Sequence, residues 1–125
     1  GKVEVTEVGP WLWIKARFIY EGTTHDRTSG VSGDPYQGHL SFDWVGPLET
    51  APKKASSFDD LEEWAHVKTK YTREYTDVGM WGEQSGSWVD DLQEDGTVMV
   101  RKSKGAFRDV TPESMTEVEE IKLEK

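Results

Sequence analysis

Alternate positions in residues 11–21 carry the side chains best suited to holding a ligand. Trp11, Trp13, Lys15 and Arg17 occupy every second place in that run. In a strand, side chains two apart share a face and stand about 7 Å from each other. Flat indoles stack on sugar rings or aromatic ligands, and neighbouring cations donate to the polar edges. Trp81 and Trp88, in or beside Gly/Ser-rich stretches, extend the set of candidate ligand-binding residues. The competing reading buries both faces of the run, with Lys15 and Arg17 reaching past the core to water.

Two further groupings have the composition of an acid/base site. His39, Ser41 and Asp43 alternate along one run, and His25 stands beside Asp26 and Arg27. An imidazole next to a carboxylate can move a proton. The candidate catalytic residues are therefore His25, Asp26, His39 and Asp43. A solvated strand face explains the first grouping equally well, because neighbours two apart on a strand point in parallel.

Carboxylates gather at Asp59, Asp60, Glu62 and Glu63, and again at Asp90, Asp91, Glu94 and Asp95. The second group resembles the front half of a calcium loop, but Lys102 stands where the bidentate Glu belongs. A hairpin with charged ends accounts for it better. The sequence has no glycine-rich phosphate loop, dinucleotide fingerprint or His-x-x-x-His pair, and it has no cysteine to supply thiolate ligands. We expect no metal and no cofactor.

The elements that position these groups follow from hydrophobic period. Residues 2–8 and 11–21 predict two strands joined as a hairpin at Gly9-Pro10. In the second, Leu12, Ile14, Ala16, Phe18 and Tyr20 make one apolar face. Residues 22–38 predict a long loop, rich in turn formers, with a short edge strand over part of it as the alternative. Residues 38–46 predict a third strand with Leu40, Phe42 and Trp44 on one side. Residues 56–65 predict a short helix with Phe58, Leu61, Trp64 and Ala65 as its apolar stripe and acidic residues in its first turn. His66 ends that helix and reads as structural.

Residues 67–76 predict a strand, and residues 87–92 and 97–102 a hairpin across Asp95-Gly96. Residues 107–110 predict a short strand. Thr111-Pro112 resembles a helix start, with Met115, Val118 and Ile121 at helical spacing; a strand with Ile121 and Leu123 inward is the alternative. The whole predicts a single β-rich α+β domain over residues 1–125. Its core is a mainly antiparallel sheet of six or seven strands, as a sandwich or small barrel, with one or two short helices.

Composition narrows the partners. The 24 acidic and 15 basic residues give a net charge of -9. Phosphate backbones and anionic membrane surfaces need a basic face, so neither nucleic acid nor membrane is the expected partner. No window is apolar enough to span a bilayer as a helix, and no signal-peptide pattern is legible.

Three functional classes remain. The first is a non-catalytic module that binds a glycan or small aromatic ligand through Trp11, Trp13, Lys15, Arg17, Trp81 and Trp88. The second is an acidic interaction domain of inhibitor or immunity type that binds a basic protein. The third is a small cofactor-free barrel enzyme, with His25, His39, Asp43 and Tyr20 or Tyr36 around an interior pocket.

Overall fold

The computed structural model describes residues 1–25, 32–53, 58–76, 82–107 and 116–124, with side chains at 1–22, 37–53, 58–74, 84–103 and 117–124. Among the described residues, seven strands form one antiparallel sheet in chain order: β1 (Lys2–Val8), β2 (Trp11–His25), β3 (Ser32–Pro47), β4 (Val67–Thr76), β5 (Gly82–Leu92), β6 (Thr97–Phe107) and β7 (Thr116–Lys122). A 3-10 turn, Leu48–Thr50, and one helix, α1 (Phe58–Trp64), connect β3 to β4. The expected β-rich α+β class is therefore observed, as a single sheet.

Two local expectations change. The described residues of the stretch read as a loop over residues 22–38 are strand: Gly22 opposes Tyr36, Thr23 opposes Pro35 and His25 opposes Ser32. The β2–β3 arms are simply longer than their apolar alternation. The chain end is a strand where the 3.6-residue spacing suggested a helix. The open edge of β6 offers unpaired backbone groups, and β7 satisfies them from Thr97↔Lys122 to Ser103↔Thr116. Leu123 then enters the core at 7% exposure, its amide donating to the Gly96 carbonyl at 2.7 Å. Of the predicted short strand over residues 107–110, Phe107 is the last residue of β6; the remainder, and the expected helix start at Thr111, lie outside the described residues.

The two faces of β2 and β3 carry separate cores. On one face Ala16, Trp44 and Leu61 are buried, with Ile14, Phe18, Phe42, Trp64 and Ala65 packed around them. This is where α1 lies. Its apolar stripe is brought in by residues three and four apart, while Asp59 and Asp60 sit in the first turn, at the positive end of the helix dipole. Phe42 and Trp44 stack at 5.6 Å between centroids, and the Trp64 indole donates to the Pro47 carbonyl at 2.9 Å. Gly46 makes room for that indole: a Cβ there would sit 2.7 Å from the Trp64 ring.

On the other face Trp11, Val45, Val67, Val89, Leu92, Val98, Val100 and Leu123 form the second cluster. Its members come from both ends of the sheet order, so the sheet folds over this face. The fold begins at Gly86. There φ is +112°, and a Cβ would lie 2.0 Å from the Lys70 carbonyl oxygen. The β4–β5 ladder stops at Tyr71↔Gly86. Buried positions also change parity across this point, from Gln84 and Ser103 to Val89 and Val100. Beyond the kink, β5 and β6 close over β2 and β3.

Candidate functional site

The residues at issue lie on the face of β2–β4 that carries Trp11, continued beyond the second cluster. Register sets them in rows. One row runs Arg17, Ser41, Tyr71, Gly86 across β2 to β5. The next runs Ile19, His39, Arg73, Gln84. Arg17, His39, Ser41, Tyr71 and Arg73 line an open cleft of about 450 Å³. That size suits a small ligand.

The cleft is held from two sides. Tyr71 donates to Gln84 Oε1 at 3.0 Å, and Gln84 Nε2 donates to Ser103 Oγ at 2.9 Å. Gln84 and Ser103 are both buried, so this chain fixes the phenol from β6 inward. The Tyr71 ring meets Trp88 edge-on at 4.7 Å. Burial pushes the Tyr71 phenol above its ordinary range, with nearby Arg73 opposing the shift. The hydroxyl therefore stays protonated at neutral pH, as a donor.

One row toward the core stand Lys15, Asp43 and Thr69. Asp43 is 1% exposed. Its Oδ1 accepts from Trp13 Nε1, and its Oδ2 accepts from Thr69 Oγ1 and the Val89 amide, each at 2.9 Å. A buried carboxylate needs such donors, because desolvation otherwise drives it neutral. Lys15 lies over the Trp13 ring at 4.7 Å.

Each residue singled out from the sequence can now be placed. Trp11 is 2% exposed in the core, so the expected Trp11–Trp13 surface platform is corrected: the folded-over β5–β7 segment covers it. Trp13 is half-buried against the same core and bound to Asp43. Lys15 keeps to the Trp13 ring, and Arg17 lines the cleft. Trp88 supports Tyr71. His39 and Ser41 line the cleft, whereas Asp43 is no part of a solvated face. His39 and Asp43, four residues apart on β3, stand about 13 Å from each other along the strand. The structure does not join them as an acid/base pair. His25 closes β2, but its side chain, with Asp26, Trp81 and the side chain of Tyr36, lies outside the described residues.

Tyr71, Arg73 and Gln84 were missed as site residues. The signal available was the alternation in residues 67–75, which puts Tyr71 and Arg73 on one face. Which face that is depends on cross-strand register.

The two acidic groupings separate. Asp95 accepts from the Thr97 amide at 3.0 Å and pairs with Lys122 at 3.0 Å, closing the β5–β6 hairpin against β7. Asp60 and Glu63 line a second concavity of about 590 Å³ with Thr50, Pro52 and Trp64, on the α1 side of the sheet. No protein-family model, curated protein or solved structure matches this chain.

Proposed function

We propose that this chain is a non-catalytic binding module whose small ligand sits in the β2–β4 cleft. The observation that carries the reading is convergence: three strands bring Arg17, His39, Ser41, Tyr71 and Arg73 to one concavity. The aromatic contact comes from Tyr71 backed by Trp88, in place of the indole pair expected from β2. Supported donors around an apolar ring are the usual make-up of a small-molecule site.

A thermal-shift screen against soluble glycans and small aromatic compounds, followed by amide chemical-shift mapping of each hit, tests it. A ligand at a hundred times its Kd stabilises by about 2.7 kcal/mol, a Tm rise on the order of 10 °C for a chain of this length. Hits should move amides of residues 17, 39–41 and 71–73. Hits that move only amides elsewhere, or an empty screen, overturn the reading.

A second reading, an interaction domain for a basic protein, is supported by the other concavity. Asp60, Glu63 and the Trp64 ring there suit an incoming Lys or Arg. Steered association should slow by tenfold or more between about 20 and 500 mM salt. A captured basic partner whose on-rate is flat across that range counts against it.

A further inference from the structure

We infer that Tyr71 meets the ligand of the β2–β4 cleft as a hydrogen-bond acceptor, and that the ligand is a hydroxylated ring, a sugar or other cyclic polyol. The inference rests on the binding-module reading and names the chemistry of its ligand.

The first support is where one proton goes. A phenol has a single proton to donate. Tyr71 gives it to Gln84 Oε1 at 3.0 Å. Gln84 Nε2 in turn donates to Ser103 Oγ at 2.9 Å. Both Gln84 and Ser103 are buried, so the chain of bonds runs inward from β4 through β5 to β6, away from water. The Tyr71 oxygen is left with lone pairs and no proton to offer the cleft. Register fixes the position as well. Tyr71 pairs with Gly86, but Gln84 pairs with Arg73, one row further from Asp43. The bond to Gln84 therefore draws the phenol toward the Arg73 row.

The second support is what stands opposite. Arg17 shares the row of Tyr71, with Ser41 between them, and all three line the cleft. A guanidinium only donates, and a serine hydroxyl does both. A ligand filling this row must accept at one end and donate at the other. Hydroxyls on one ring do both, whereas an ether or a bare arene has no proton for Tyr71. The Tyr71 ring, packed against Trp88, adds apolar surface for the C–H face of such a ring. A site built to bond a hydroxyl rejects the analogue that lacks it.

The test titrates the whole chain with phenyl β-glucoside, phenyl β-galactoside, their monodeoxyfluoro analogues and methoxybenzene, reading affinity and amide shifts. Fluorine is close to a hydroxyl in size but has no proton to give. At least one glycoside should move amides of residues 17, 39–41 and 71–73 and bind about tenfold or more tightly than methoxybenzene. Fluorine at one of its positions should weaken it by about tenfold. Tyr71→Phe should cut that penalty to under about twofold. Gln84→Met frees the phenol proton and should also reduce the penalty, to under about threefold. Gln84→Glu can still accept from Tyr71 and should keep it. A merely structural Gln84 would weaken parent and fluorinated probes alike. Near-ultraviolet circular dichroism verifies that each variant keeps the native packing.

Penalties under about twofold at every position in the native chain overturn the inference, whatever the variants do. A penalty that survives Tyr71→Phe overturns Tyr71 as the acceptor, and one that survives Gln84→Met overturns Gln84 as the group that sets it. Methoxybenzene binding in the cleft as tightly as the glycosides overturns the polyol and leaves the binding-module reading standing. If no glycoside moves the cleft amides, the inference fails, and it takes the module reading with it only if the wider screen also leaves those amides still.

Discussion

The Asp43 carboxylate on β3 accepts a hydrogen bond from the Val89 amide on β5, although β4 lies between them in the sheet order. The bond exists because β5 leaves β4 at Gly86 and folds across the face. Asp43 then satisfies donors from β2, β4 and β5 at once. It ties the folded-over half of the sheet to the half that carries the cleft.

Asp43→Ala should therefore cost about 3–5 kcal/mol, since three donors lose their acceptor and two of them are well buried. Thr69→Val removes one donor with little change of shape and should cost only about 1 kcal/mol. Urea denaturation of both variants measures the difference. Equal costs would mean that the carboxylate is not the hub of this network.

Gly86 should tolerate no side chain. With φ at +112° and a Cβ placed 2.0 Å from the Lys70 carbonyl oxygen, Gly86→Ala strains the backbone by about 2 kcal/mol or more. The near-ultraviolet signal of the Tyr71–Trp88 pair should change with it. A variant of native stability and unchanged spectrum would show that the kink does not need glycine.

Gly38 is tested by a double-mutant cycle. A Cβ at this position would stand 2.0 Å from the Tyr20 ring, so Gly38→Ala should cost about 1–3 kcal/mol in the native background. In a Tyr20→Ala background most of that cost should vanish. A coupling below about 0.5 kcal/mol would show that the two do not touch.

Asp95 predicts an acid limb in the stability curve. Bonds from Thr97 and then Lys122 hold its carboxyl near 2, down from 3.8. A depressed carboxyl favours the fold above 3.8, and that contribution is lost as pH falls from there through about 2. Asp95→Asn should flatten stability over this window and leave the slope above pH 5 unchanged. Carboxyl NMR of the native chain should give a midpoint near 2; a midpoint near 3.8 would remove the prediction.

Much of the fold was legible because alternation is local. The runs Leu12, Ile14, Ala16, Phe18 and Leu40, Phe42, Trp44 declare their strands and their common face, and the α1 stripe declares the helix that covers it. Asp95-Gly96 declares its hairpin through turn chemistry, seen in Gly96 at φ +90°. The candidate site was legible only in part. Arg17, His39 and Ser41 stood on recognisable strand faces, but nothing within β2 or β3 points to Tyr71 or Arg73.

Residue types and their period thus set which segments become strands, which side chains share a face, and the acidic surplus of the chain. They left open whether the Trp11 face would be sealed as well, because burial there depends on what folds across from far along the chain. Trp11 became core through Val98, Val100 and Leu123, not through its own strand. The terminal segment became β7 because an edge strand offered hydrogen bonds that an isolated short helix could not match. The cleft arose where register set Arg17, Ser41 and Tyr71 in one row, a long-range pairing with no local sequence mark.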